Sequence, residues 1–388
     1  MSWSPFSPEV LDDPASGHQE LLQRCPVHHC EDFEPSFYTL SRYHDVQEAL
    51  RDTQTFSSQY GQGPRFSEPL GMLCDPPQHT HVRKLVQPAF TPRAMNLLRA
   101  KIQAVTNDLL DRVLQGPNEF DFHDEFAFPL PVIIIAALLG VPEADLEQFK
   151  HWSDIQVAAM GAEDPSRYEA DQVEFFAYMH NLLMIRRSVI ASGSPAAADL
   201  LTLIASGKGA DGQLLSEADA QSVLMQLLVG GNETTTSLMT NLLWRLLESP
   251  EQWQTLLNDP SIVANAIEES LRFDPPVLGL YRNTTREVSL HDIVIPKGSK
   301  VYINYAAANR DPEIFSDPDR FDITRSRTRH MSFGLGTHFC LGAPMARLET
   351  EIAFTAIRQK LPNLKLLGQG ERIAPFFLWG RRKLPVQI

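Results

Sequence analysis

Residues Ser332 to Gly342 read SFGLGTHFCLG. Glycines 334, 336 and 342 surround a histidine and a cysteine, in a chain of 388 residues with only four cysteines. A turn needs fewer glycines than this, so the stretch predicts that something approaches the backbone closely. Leu341, Met345, Leu348, Ile352 and Ala356 follow at helical spacing, which sets Cys340 at or beside a helix N-terminus. Free N–H groups and the helix dipole favour a thiolate there. The glycines permit positive φ, so that more N–H groups can face the sulfur. The expected product is an anionic sulfur with one open side, and its complement is a metal.

A second break in local rules lies upstream. Ser216 and Asp219 form a capping-box pattern, and a helical pattern runs from Glu217 until Ser249 and Pro250 stop it. If continuous, this helix is about 48 Å long. Apolar residues occupy nearly every face, which predicts a central, buried helix. Gln226, Asn232, Glu233 and Asn241 interrupt it too often for a membrane span. Its middle, VGGNETTT (229–236), is written in poor helix formers. Gly230 and Gly231 would let a flat group lie against the backbone, with an acid, Glu233, and a hydroxyl, Thr234, beside it. The plain alternative is a kink with threonines bonded back to the preceding turn. Iron in a planar cofactor would explain glycines on two separate elements.

Glu269 and Arg272, in ANAIEESLRFDPP (264–276), share a helix face. An exposed pair of this kind contributes little. Ile267, Leu271, Phe273 and the double proline argue for burial, which needs further partners. Arg320, in DPDRFD, is the candidate third member. Asp75-Pro-Pro-Gln-His79 opens another helix, with His79 and Arg83 on one face. The pair suits a carboxylate-bearing ligand, or else an ordinary basic patch. Arg282 follows the turn Pro275 to Leu280.

Phe333, Gly336, His338, Cys340 and Gly342 stand in the register Phe-x-x-Gly-x-His/Arg-x-Cys-x-Gly. On these residues the chain resembles the cytochrome P450 haem-thiolate monooxygenases, and the other motifs follow in that family's order from roughly residue 20 onward. Gly230-Gly231-Asn232-Glu233-Thr234 is similar to its oxygen-activating helix, with Asn232 at a variable position. Glu269-x-x-Arg272 is similar to its Glu-x-x-Arg motif, with Arg320 completing a structural triad. The resemblance implies a mainly α fold with small marginal β-sheets and a long central helix crossing the haem. It implies heme b (iron protoporphyrin IX) with Cys340 as axial thiolate and metal ligand. His79, Arg83, Arg282 and His338 would bind the propionates, and Gly230 and Phe333 would contact the ring. Glu233 and Thr234 would guide protons to dioxygen. Val229, the turn Val277 to Leu280 with Leu278, Gly279 and Leu280, Phe377 and Leu378 would surround the substrate with part of the loop 60–73. Gly279 suggests room for a bulky skeleton, and Gln226 either faces the pocket or packs the helix. The implied reaction inserts one oxygen atom into a C–H bond of a hydrophobic terpenoid, steroid, fatty acid or aromatic. A separate ferredoxin-type partner would supply electrons, since flavin, nicotinamide and iron–sulfur fingerprints are lacking. Arg325, Arg327 and Arg329 are either its docking face or a solvated loop.

Composition bounds these readings. The formal charge of −14 argues against nucleic acid as a partner. The N-terminus shows no signal-peptide pattern. VIIIAALLGV (132–141) is too short for a membrane anchor and reads as a buried helix ended by Gly140 and Pro142. Cys25, Cys30, Cys74 and Cys340 lack framework spacing, which fits a reducing, cytoplasmic setting. The Cys25–Cys30 cluster reads as loop. Strand patterns fall at 37–40, 287–296, 300–306 and the C-terminal end. The expectation is one domain over 1–388, monomeric, with 1–20 loosely ordered. Two alternatives remain: a zinc enzyme using His330, His338 and Cys340, and a haem protein that only binds gas.

Overall fold

The computed structural model describes residues 3–161, 164–209 and 211–388. Its axis is the Glu217–Glu248 helix, 32 residues long and uninterrupted. Ser216 caps it by accepting the Asp219 N–H at 3.0 Å. Pro129–Leu139, Leu146–Gly161, Glu169–Ala191, Val263–Phe273 and Ala343–Lys360 all pack against it. A helix covered on every side needs apolar residues on every side, which accounts for its sequence. The Pro129–Leu139 helix is the apolar run expected, ended by Gly140 at φ 88°. Among the described residues, no helix is long and apolar enough to cross a membrane, and all four cysteines are free.

The largest sheet has the order Val27–Cys30, Phe37–Leu40, Lys300–Asn304, Gly279–Thr284, Phe56–Ser57. Phe37–Leu40 and Lys300–Asn304 run parallel, and the other neighbours are antiparallel. The 287–296 pattern is a hairpin that pairs Val288–Leu290 with Ile293–Ile295. His291 and Asp292, both at positive φ, turn it. Two expectations are corrected here. Part of the Cys25–Cys30 cluster is an edge strand, and the turn ending at Leu280 already contains the start of the strand Gly279–Thr284. Val27–Cys30 is short and pairs on one side only, with Phe37–Leu40, and the partners of Gly279–Thr284 at Lys300–Asn304 and Phe56–Ser57 are set by the fold.

Residues 3–20 are packed rather than loosely ordered. Trp3 and Val10 are buried, His28 Nε2 lies 2.9 Å from the Trp3 carbonyl, and Phe6 stacks on Phe33 with centroids 4.5 Å apart. The sheet residues Phe37 and Tyr281 provide the apolar floor for this segment, which no local pattern reveals. Residues 1 and 2 lie outside the described residues.

The segment before Cys340 hangs on the Val263–Phe273 helix. The Ser332 hydroxyl donates to the Leu271 carbonyl at 2.5 Å, and Asn309 holds both Met331 N–H and Ser332 Oγ. Arg347 and His330 both meet Glu268. One turn away, Glu269 and Arg272 form a two-pronged pair at 2.8 and 2.9 Å, with both side chains 2% exposed. The third member is not Arg320. Arg325 Nε donates to Glu269 Oε1 at 3.1 Å, whereas the Arg320 side chain is 67% exposed. Arg320 contributes its carbonyl, which accepts from both Arg272 and Arg325. The chain reverses between the two arginines, which turns Arg325 inward and Arg320 outward.

Candidate active site

Cys340 is positioned by its backbone. Its N–H donates to the Phe333 carbonyl at 2.8 Å, and its sulfur accepts the N–H groups of Gly342 and Ala343 at the start of the Ala343–Lys360 helix. Gly334 and Gly336 take positive φ, as expected, but Gly342 does not, at φ −79°. Burial pushes the thiol above its ordinary value, against the pull of the two N–H groups and of Arg83 and Arg347. A helix terminus alone therefore does not ionise this sulfur. A metal cation on its open side would.

That side opens on a cavity of about 200 Å³, lined also by Gly230, Gly231, His79, Arg83 and His338. The two glycines divide their work. A Cβ on Gly230 would meet nothing within 4 Å, whereas one on Gly231 would lie 3.1 Å from Ile135. Gly230 leaves the space beside the central helix open, and Gly231 lets the Pro129–Leu139 helix approach.

His79 and His338 lie with ring centroids 4.3 Å apart. His79 Nδ1 and His338 Nε2 are buried without a hydrogen-bond partner. Burial and the nearby guanidiniums lower the two imidazoles, His79 to about 4 and His338 to about 3. Arg83 and the buried Arg282 are among those guanidiniums. Unpartnered donors and cations converging on one spot suit carboxylates.

A larger cavity, of about 610 Å³, is lined by Val229, Glu233, Thr234, Leu280, Phe377 and Leu378 among others. It shares Gly230, Gln226, Gln62 and Leu73 with the smaller one. Among the described residues its wall carries two acidic side chains, Glu68 and Glu233, and no lysine, arginine or histidine. Glu233 is 5% exposed, and burial pushes it up to about 8, so it holds a proton at neutral pH. Ser237 Oγ lies 3.3 Å from its Oε1. The Thr234 hydroxyl donates to the Gly230 carbonyl at 2.8 Å, and the helix runs on without a break. Its proton being held there, the hydroxyl can only accept from the cavity. Asn232 is directed elsewhere and donates to Ser153 Oγ at 2.6 Å.

The cytochrome P450 family model matches residues 254–361. Cytochrome P450 107B1 of Saccharopolyspora erythraea is 39% identical over 371 residues, covering 90% of this chain and 89% of that protein. The chain belongs to the cytochrome P450 family. Two solved P450 structures superpose over nearly the whole chain. PksS, from the bacillaene polyketide synthase of Bacillus subtilis 168, has a TM-score of 0.87 and 32% identity, covering 99% of each chain. CYP109E1 of Bacillus megaterium, in complex with corticosterone, has a TM-score of 0.86 and 31% identity, covering 98% of this chain and 99% of that one.

The cofactor of a P450 is haem, held by a cysteine thiolate. The residues present fit it: a sulfur with an open side, an open helix face at Gly230, and orphaned imidazole nitrogens beside guanidiniums. The zinc alternative fails on geometry. His330 is engaged by Glu268 at 3.2 Å and His338 packs on His79. Among the described residues, only Asp121, His123 and Asp124 group as metal ligands would. The gas-binding alternative lapses with the family, whose members here are named as monooxygenases and hydroxylases.

The remaining expectations divide. Of the turn Val277 to Leu280, Leu278 faces the main core, whereas Val277, Gly279 and Leu280 line the cavity. Gly279 is required by packing rather than by substrate, since a Cβ there would lie 2.4 Å from the Ile303 carbonyl. Phe333 contributes its carbonyl to Cys340 and its ring to Arg347, 4.5 Å from the guanidinium, and does not line the cavities. Gln226 does both things expected of it. It lines the cavities and binds the 70–72 segment.

Proposed function

We propose that this P450 inserts one atom of dioxygen into a C–H bond of a neutral, bulky, apolar small molecule. The observation that carries the reading is the larger cavity beside Glu233 and Thr234, whose described lining holds no cationic side chain. Its size suits a drug-sized ligand. A fatty acid would need a cation for its carboxylate, and the wall offers none. Among the expected classes, neutral terpenoids and steroids fit better. The relative solved with corticosterone supports the same direction for this chain.

In this reading the Cys340 sulfur would hold the haem iron, and His79, Arg83, Arg282 and His338 would hold the haem carboxylates. Bound there, haem supplies the oxidation chemistry, and the thiolate favours O–O cleavage. Glu233 holds a proton in a dry site, and the Thr234 hydroxyl accepts a hydrogen bond from the cavity, orienting water or protonated oxygen there. Thr234→Ala is expected to lower product formed per electron consumed about tenfold while electron consumption continues. Activity should fall as pH rises through about 8, where Glu233 loses its proton, and Glu233→Gln should flatten that limb. An undiminished product-to-electron ratio in Thr234→Ala would remove the hydroxyl from the mechanism. The substrate assignment is tested with labelled dioxygen and a panel of neutral steroids and terpenoids against fatty acids of similar size. Equal labelling of fatty acids would sink the charge argument.

Electrons arrive, in this reading, from a separate acidic ferredoxin-type protein in the cytoplasm, and the enzyme works as a monomer. Arg325 is taken up by Glu269, which leaves the exposed Arg327 and Arg329 as the docking charges. Reversing both should slow reduction by an acidic donor about tenfold at low salt, with substrate affinity unchanged. An unaltered reduction rate would exclude this face.

A further inference from the structure

Lys300 is a lysine in an unusual place. It begins the strand Lys300–Asn304 and is 1% exposed. A buried ammonium is costly unless every proton finds an acceptor. Here all three do. Nζ donates to the carbonyls of Tyr60 at 2.9 Å, Gly61 at 3.2 Å and Gly63 at 3.0 Å. The Phe66 ring lies 5.0 Å from the same nitrogen. The remaining carbonyl of the run, that of Gln62, accepts the Tyr281 N–H at 2.9 Å. Four consecutive carbonyls are thus pinned to two paired strands of the largest sheet.

Beyond them comes Pro64-Arg-Phe-Ser-Glu-Pro69, a strap over the larger cavity that lines it through Pro64, Ser67, Glu68 and Pro69. Its prolines carry no N–H, and the Ser67 N–H to the Tyr60 carbonyl, at 3.1 Å, is its main-chain hydrogen bond. At the far end Gln226, on the central helix, takes over. Its Oε1 accepts the Met72 N–H at 2.9 Å, and its Nε2 donates to the Leu70 carbonyl at 2.8 Å. The strap is held at both ends and sparsely in between. One holder is charged and rooted in a sheet. The other is chiefly a neutral amide, whose hydrogen bonds are weaker, helped by a long contact of the Gly71 N–H to Asp219 Oδ1 at 3.4 Å and by Cys74 Sγ donating to the Pro69 carbonyl at 3.3 Å.

We propose that Lys300 and Gln226 are positioning residues that set the entrance of the larger cavity, with Lys300 fixing the hinge of the 64–69 strap and Gln226 acting as its releasable latch. The inference takes the larger cavity as the substrate site. Its first test does not depend on that reading. Arg65 is exposed within the strap, so the Arg65–Phe66 bond is a tryptic site whose cleavage reports strap opening. On the purified holoprotein, Gln226→Leu should accelerate cleavage at this bond about tenfold, and Lys300→Met by about 10- to 100-fold, with cleavage elsewhere unchanged. Stopped-flow binding of a neutral azole should show faster association in Gln226→Leu, the step that strap opening limits. Cleavage at Arg65–Phe66 that stays at the wild-type rate in Gln226→Leu would overturn the latch, even if Lys300→Met fails to fold. Acceleration spread evenly over all tryptic sites would overturn it too, since that is the mark of general destabilisation.

Discussion

Cys340→Ser protein, reduced and exposed to carbon monoxide, is expected to lack the strongly red-shifted Soret band that wild-type protein gives. Turnover should fall by at least about a thousandfold, equivalent to about 4 kcal/mol of barrier. Burial raises the thiol, and the N–H groups of Gly342 and Ala343 only partly compensate. Bound iron would supply the missing positive charge, so metal binding and ionisation of Cys340 would be one event. Serine keeps the geometry but is a far weaker acid, and the push of a thiolate on iron is lost. A wild-type band at the ordinary histidine-ligated position would mean that the thiol stays protonated or unbound. A red-shifted band that survives in Cys340→Ser would mean that another residue is the ligand.

Glu269→Ala should cost about 3–5 kcal/mol of stability. It leaves Arg272 and Arg325 facing one another around a missing carboxylate, with the Asp322 N–H also orphaned. Arg325→Met should destabilise clearly, whereas Arg320→Met should change stability by less than about 0.5 kcal/mol, because the Arg320 side chain is exposed and its role is played by its carbonyl. Urea unfolding of the three variants separates the cases. If Arg320→Met proved as damaging as Arg325→Met, the assignment of the third partner would be wrong. The same triad braces the segment that carries Cys340, so Glu269→Ala should also impair haem retention.

The contrast between Arg320 and Arg325 shows where sequence reading ends. Motif order pointed to Arg320 after Glu269-x-x-Arg272, and Arg325, which takes the role, lies five residues further along the same loop. Which of them turns inward depends on a chain reversal between 317 and 325, with Asp317 at positive φ. Leu278 and Val277 make the same point. Both are apolar, and only the pairing of Val277 with Leu378 decides which one meets the cavity. Lys300 carried no signal at all, because its three acceptors lie about 240 residues away in sequence.

By itself, the sequence determined what depends on near neighbours along the chain. The turn and helix around Cys340, the span Glu217–Glu248 with its glutamate–threonine pair, the Glu269–Arg272 face and the His79–Arg83 face are all set by spacings of a few residues. Helical periodicity and backbone hydrogen bonding act over those distances. Tertiary structure alone decided how far Cys340 is desolvated, that Glu233 keeps its proton, which arginine completes the buried triad, and what holds the strap over the cavity. Those outcomes depend on burial and on partners brought together from remote segments, and a linear pattern encodes neither.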